Sequence, residues 1–282
     1  MGAAQKAGPL AGRVSDLPAR IGAAVVLMAL ALGSAWAGGA WFAAFWLAAA
    51  LLVHWEWQSL IGGEHRALRV AAGSVGLVAA APLAIDGKLL GAIAALLAGA
   101  ALASAAAGAR PPSRLMPGAG ALYAGAMLVS VCLLRMSWPY GLHAVLWLFA
   151  VVWGADVMAY FGGRLIGGPK LWPRVSPGKT WSGFWVGIAC GAGVGLFAAP
   201  GPGSTIALLG LGLATAAVAQ GGDLFESSLK RRFGVKDSSH LIPGHGGLMD
   251  RLDGFIAAAL FAACVGAMRH GIPDLAAGLF EW

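Results

Sequence analysis

The sequence carries acids where lipid-facing or glycine-rich surroundings make acids expensive. In Gly222-Asp223-Leu224-Phe225-Glu226-Ser227-Ser228-Leu229-Lys230-Arg231-Arg232, a helix would align Asp223, Ser227 and Lys230 at i, i+4 and i+7. That stripe runs from a carboxylate at membrane depth to a basic cluster at the surface. The acid suits a hard cation and the cluster suits polyphosphate. Positive charge at a cytoplasmic helix end accounts for Lys230 to Arg232 without any site, but it leaves Asp223 unexplained. The following stretch, Lys236 to Asp253, places Gly244, Gly246 and Gly247 where a backbone can approach an anion closely. Asp250 and Asp253 lie one turn apart at the start of the last span. Paired carboxylates of this kind suit Mg²⁺ shared with substrate phosphates, although acids also favour a helix N-terminus. His245 lacks a second His or Cys at ligand spacing, which argues against zinc. Ser176-Pro177-Gly178-Lys179-Thr180 imitates the tail of a phosphate-binding loop. Position 173 is proline and no strand precedes it, so a P-loop is rejected. The loop still offers Ser, Thr and Lys to a phosphate, or serves as a polar turn at a helix start.

These residues must be held by membrane helices. Of 282 residues, 59% are hydrophobic and 11% are charged, with a mean hydropathy of +0.77. A soluble domain carries about 25% charge, and a disordered chain would lack this apolar content. The 44 glycines show no G-X-Y period and are scattered among Ala and Leu, as in closely packed membrane helices. The expected fold is therefore all-α: a polytopic integral membrane helical bundle of about nine spans in a single membrane domain, 1–282. Candidate spans are 21–37, 39–61, 69–86, 89–108, 118–136, 140–162, 183–199, 204–226 and 254–270. With the N-terminal segment 1–20 in the cytoplasm, 16 of the 19 Lys and Arg residues fall on the cytoplasmic side, leaving Lys88, Arg135 and Arg269 outside. Ala35-Trp36-Ala37 imitates a signal-peptide cleavage site, but a second apolar segment follows at once and favours a retained first span. Cys132, Cys190 and Cys264 are isolated in apolar runs and read as small hydrophobes. The net charge of +7 comes with no long basic run or RNA-binding motif, so nucleic acid is not an expected partner.

Polar stretches 163–182 and 227–253 interrupt the hydrophobic pattern on the cytoplasmic side, and the cytoplasm-facing catalytic portion is expected within 150–254. Two further acids lie within spans. Glu56, between Trp55 and Trp57, reads best as an interfacial anchor. Asp156 shares a helix face with Tyr160 and Gly163, and either joins two helices or faces a polar cavity.

Ser227-Ser228-Leu229-Lys230-Arg231, then Lys236-Asp237, then Pro243 to Asp253 closely resembles the signature of the phosphatidate cytidylyltransferases (CDP-diacylglycerol synthases). Asp156 to Arg164 and Ser176 to Thr180 are similar to that family as well. The resemblance covers roughly the C-terminal half; before residue 150 only the hydrophobic layout agrees. It implies an integral membrane enzyme, in a bacterial inner membrane with its site facing the cytoplasm. That enzyme converts CTP and phosphatidic acid to CDP-diacylglycerol and pyrophosphate. It further implies dependence on Mg²⁺, a second, monovalent cation such as K⁺, and a homodimer. The catalytic group would be Asp223, Asp250, Lys230, Arg231 and Ser227, with Asp223, Asp250 and Asp253 toward the metal. Substrate contacts would come from Lys236, Asp237, His245, Gly246, Gly247, Arg251, Ser176, Lys179, Thr180, Asp156 and Tyr160.

Other functions compete. A CTP-dependent kinase for a polyprenol or phytol-type alcohol could use a similar nucleotide site, but it would need a base near the acceptor. A CDP-alcohol phosphotransferase is disfavoured because its Asp-Gly-x-x-Ala-Arg motif is absent. A secondary transporter would show repeated halves with polar residues at midplane, whereas here the polar residues gather on one side.

Overall fold

The computed structural model describes residues 17–107, 115–201, 203–242 and 246–282. Ten helices and one hairpin follow in chain order. They are α1 (Leu17–Ala37), α2 (Gly39–Ile61), α3 (Arg66–Ile85), α4 (Leu89–Ala105), α5 (Met116–Met136), α6 (Gly141–Leu165), β1 (Lys170–Trp172), β2 (Ser176–Thr180), α7 (Trp181–Ala198), α8 (Thr205–Arg232), α9 (Met249–His270) and α10 (Leu275–Phe280). The protein is an all-α membrane bundle. Among the described residues, seven helices are long and apolar enough to cross a membrane: α2, α3 and α5 to α9. The apolar part of α1, Ile21–Ala37, and α4 are shorter than that standard, so the expected nine spans resolve into seven full-length candidates and two short apolar helices.

Aromatic packing ties the first half of the chain to the last span. Trp46 of α2 stacks on Phe255 of α9 at 5.0 Å, and Phe255 stacks on Phe149 of α6 at 5.2 Å. Phe149 in turn lies 4.8 Å from Trp153. Such pairs add directional attraction to simple burial. Small residues bring other helices together. Gly183, Gly187, Gly191 and Gly195 recur every fourth residue on one face of α7. An added Cβ at Gly183 would lie 2.6 Å from the Ala159 carbonyl, and one at Gly191 would lie 2.9 Å from Ala155 Cβ. This is close backbone approach of the kind that stabilises helix pairs in lipid.

Several helices outrun the apolar segments that announced them. α6 continues to Leu165, α8 continues to Arg232, and α9 begins at Met249. At the start of α9 a side chain from another helix accepts from the first backbone N–H groups, whereas the end of α8 closes on the residues that follow it, Gly234 N donating to Arg231 O at 3.1 Å and Val235 N to Lys230 O at 3.0 Å. The polar stretch after α6 folds into an antiparallel hairpin, with Lys170 opposite Thr180 and Trp172 opposite Ser176. Thr180 then caps α7, its hydroxyl accepting from Gly183 N at 3.1 Å. The ends of α6 and α8, the starts of α7 and α9, and the hairpin all meet around one cavity.

Candidate active site

The cavity encloses about 660 Å³, within the range for small-molecule sites. Four carboxylates line it, Asp156, Asp223, Asp250 and Asp253, together with four cations, Arg164, Lys170, Lys179 and Arg251. Tyr160, Thr180, Phe184 and Gln220 complete its polar and aromatic wall. The mixture of signs is informative. A purely acidic cavity would repel a nucleotide, and a purely basic one would not hold a metal ion.

Each ionic contact has a local cause. Asp223 Oδ2 lies 2.6 Å from Lys179 Nζ, and Ser227 Oγ, one turn along α8, donates to Asp223 Oδ1 at 3.2 Å. Both partners of the Lys179 pair are partly open, with side chains 24% and 31% exposed. Lys230 is a different case. It is buried and bridges two acids, Glu226 Oε1 at 3.0 Å and Asp250 Oδ1 at 2.5 Å. Asp250 has its second oxygen occupied as well. Oδ2 accepts from Ser238 N at 2.9 Å, Ser238 Oγ at 2.9 Å and Gly247 N at 2.8 Å. Asp253 Oδ1 accepts from Gly254 N at 2.7 Å.

The remaining candidates fall into distinct places. Asp156, the residue with two open readings, lines the cavity, as do Tyr160, Lys179, Thr180 and Arg251. Arg231 lies outside the lining; its Nε donates to Val175 O at 3.2 Å and its Nη1 to Val235 O at 3.1 Å, holding the hairpin against the end of α8. Lys236 and Asp237 are exposed and outside the lining, and Ser176 stands at the start of β2. Gly246 adopts φ of +80°, and Gly247 packs so tightly that any side chain would collide with Ser238 Oγ and Glu56 Oε1. His245 lies outside the described residues.

Three groups escaped the sequence reading. Arg164 and Lys170 line the cavity from the end of α6 and from β1, and Arg164 Nη1 donates to the Tyr160 hydroxyl at 3.0 Å. Gln220, one turn before Asp223, contributes to the same wall. Its signal was available, since an amide in an apolar run is unusual. The third is Glu56. Its expected role as an interfacial anchor is overturned: it is fully buried and accepts hydrogen bonds from the 238–249 segment.

The donor set fits a hard cation, because the available carboxylates offer oxygen and, among the described residues, no Cys or His lines the cavity. Among the described residues no three His, Cys, Asp or Glu side chains cluster tightly enough to hold an ion by themselves. A hard divalent cation can be held by one or two carboxylates while water and substrate oxygens fill its other positions.

Comparison with known proteins identifies the family. Residues 18–268 match the cytidylyltransferase family. The chain is 41% identical over 273 residues to the phosphatidate cytidylyltransferase of Brucella abortus (strain 9-941), covering 95% of this chain and 99% of that one. It is 38% identical over 273 residues to the phosphatidate cytidylyltransferase of Pseudomonas aeruginosa, covering 91% of this chain and 100% of the relative. A shorter match, 48% over 119 residues, joins it to the enzyme of that name from Staphylococcus saprophyticus, covering 41% of this chain and 46% of the relative. A match spanning nearly all of this chain and of its full-length relatives makes the protein a member of the cytidylyltransferase family, among the phosphatidate cytidylyltransferases.

Proposed function

We propose that the protein joins CTP to phosphatidate at the cavity between α6, α7, α8 and α9, on the cytoplasmic face of a bacterial inner membrane, and that it works as a homodimer. The observation carrying this reading is the matched set of four acids and four cations around one cavity of nucleotide size. A phosphatidate phosphate oxygen attacks the α-phosphorus of CTP. The bond from that phosphorus to the β-bridging oxygen breaks, and its electron pair leaves with pyrophosphate. The attacking phosphate is already ionised near neutral pH, so no base is required.

Two polyanions must nevertheless be brought together, and positioning with charge neutralisation supplies most of the catalysis in such transfers. Arg164, Lys170, Lys179 and Arg251 are the cations that would receive the phosphates. Lys179 already faces Asp223, and the Thr180 hydroxyl stands beside it at the start of α7. Asp223 and Asp253 are the carboxylates that would hold Mg²⁺, with Asp250 behind them, since both Asp250 oxygens are engaged by Lys230, Ser238 and Gly247. When bound, the ion neutralises phosphate oxygens and stabilises the departing pyrophosphate. Lys230 keeps Asp250 and Glu226 compatible with each other in a buried setting.

Purified protein should be given phosphatidate, Mg²⁺ and CTP labelled at either the α- or the γ-phosphate. The α-label should enter the lipid and the γ-label should leave as pyrophosphate. Transfer of the γ-label to lipid would replace this reading with a lipid kinase.

A further inference from the structure

α9 begins without a cap of its own. Leu248 occupies the N-cap position and offers no side-chain hydrogen bond. The first N–H groups of a helix need acceptors from elsewhere. Here the acceptor comes from a distant helix. Glu56 of α2 takes Leu248 N at 2.8 Å on Oε1 and Met249 N at 2.6 Å on Oε2. Ser239 Oγ donates to Oε1 at 2.6 Å. Ser238 Oγ lies 3.4 Å from Oε2, but at 2.9 Å from Asp250 Oδ2 its single proton goes to Asp250. Among the described residues, every hydrogen-bonding group facing Glu56 is therefore a donor or a rotatable hydroxyl, and two are backbone N–H groups that cannot turn away.

The helix that Glu56 caps is the one whose first turn carries Asp250 and Asp253 into the cavity. Glu56 itself does not line the cavity. A carboxylate is also the acceptor best suited to the positive end of a helix. Gly247 belongs to the same arrangement, since a side chain there would collide with Glu56.

We propose that Glu56 is a positioning residue for cytidylyl transfer, fixing the start of α9 and with it Asp250 and Asp253. This inference rests on the activity proposed above. Its isosteric variant, Glu56→Gln, keeps the volume but turns an NH₂ group toward a backbone N–H. Displacement of reacting groups by about 1 Å costs on the order of 100-fold in rate. Three of the four cations expected to hold the triphosphate stand on α6, β1 and β2, and Arg251 alone of them shares α9 with the cap.

The test is kinetic and structural together, on the purified full-length protein. Glu56→Gln should lower kcat by about 100-fold while the KM for CTP stays within about threefold. In hydrogen exchange, the amides of Leu248 and Met249 should exchange at least about tenfold faster than in the wild type. Leu77→Ala, a buried lesion in α3 outside the cavity lining, serves as the control for lost stability. It should leave kcat per folded molecule unchanged. Ser239→Ala should lower kcat in the same direction, and adding it to Glu56→Gln should cost less than the two separate losses combined. Wild-type kcat in Glu56→Gln, a kcat loss matched by Leu77→Ala, or unchanged exchange at Leu248 and Met249 would each overturn the proposal. If Glu56→Gln does not fold, wild-type kcat in Ser239→Ala would overturn it. A wild-type protein that transfers no cytidylyl label would sink the activity reading, and the exchange measurement would still judge the cap.

Discussion

Lys230 and Asp223 lie two turns apart on α8, yet their surroundings assign them different work. Lys230 has a side chain only 10% exposed and stands between Glu226 and Asp250. The sequence suggested a phosphate-facing lysine. The structure gives it two internal carboxylates to neutralise. Removing one partner from a buried ionic group leaves uncompensated charge, typically at a cost of 3–5 kcal/mol. Lys230→Met should therefore lower unfolding stability in detergent by about 3 kcal/mol, with activity falling as the folded fraction falls. Asp223 is partly open to the cavity, and its pair with Lys179 contributes at most about 1 kcal/mol. Asp223→Asn should leave the unfolding midpoint nearly unchanged and lower kcat by about 100- to 1,000-fold, read by transfer of α-label to lipid. Asp223, Asp250 and Asp253 were legible as site candidates because acids beside spans and glycine loops are costly. Glu56 was not, because its partners lie 183–193 residues away in sequence. Its neighbours Trp55 and Trp57 also match an ordinary membrane-interface pattern.

At the level of single elements, α7 contains its own controlled comparison. A Cβ at Gly187 would meet the Ala155 carbonyl, Ala159 Cβ and Gln220 Nε2, each at 2.8 Å, whereas a Cβ at Gly193 meets nothing within 4 Å. Gly187→Val should push α7 from α6 and displace Gln220 from the cavity wall, lowering stability by about 3 kcal/mol and reducing turnover. Gly193→Ala, on the same helix, should be neutral or slightly stabilising because it removes backbone freedom from the unfolded chain. Thermal unfolding of the two purified variants separates packing from helix propensity. Hydropathy found the apolar core of each long helix but stopped short of the ends of α6 and α8 and the beginning of α9. Those ends are polar, and the start of α9 also draws its backbone acceptors from a distant helix. The hairpin at 170–180 was read as loop because its strands are three and five residues long and the second contains proline and glycine. The six residues of α10 were missed for a related reason: its burial against α9 comes from the fold, with Gly278 and Gly266 in close backbone contact.

Across the whole molecule, charge asymmetry and cavity position describe the same axis. Arg135 and Arg269 are assigned to the outer side by sequence, and both use backbone carbonyls as acceptors, Ala35 O at 2.6 Å for Arg135 and Glu281 O at 2.8 Å for Arg269. Lys88 pairs with Asp86 in the turn between α3 and α4. The proposed orientation predicts that a cysteine placed at Lys88 reacts with a membrane-impermeant maleimide in intact spheroplasts. A cysteine at Lys236 should react only after the membrane is opened. The reverse pattern would put the catalytic cavity on the wrong side for cytosolic CTP. The succession of long helices was readable because lipid imposes long apolar segments. Which helix ends would converge was not, since that depends on packing between segments far apart in the chain.

Among the described residues none before Asp156 lines the cavity, yet α2 touches the start of α9 through Glu56. A hybrid made by grafting the first 105 residues of a relative onto this C-terminal portion would thus inherit or lose its competence at one side chain. Donors presenting a carboxylate opposite Leu248 and Met249 should yield working hybrids. Donors lacking it should yield inserted but sluggish ones, which restoring that single acid would revive.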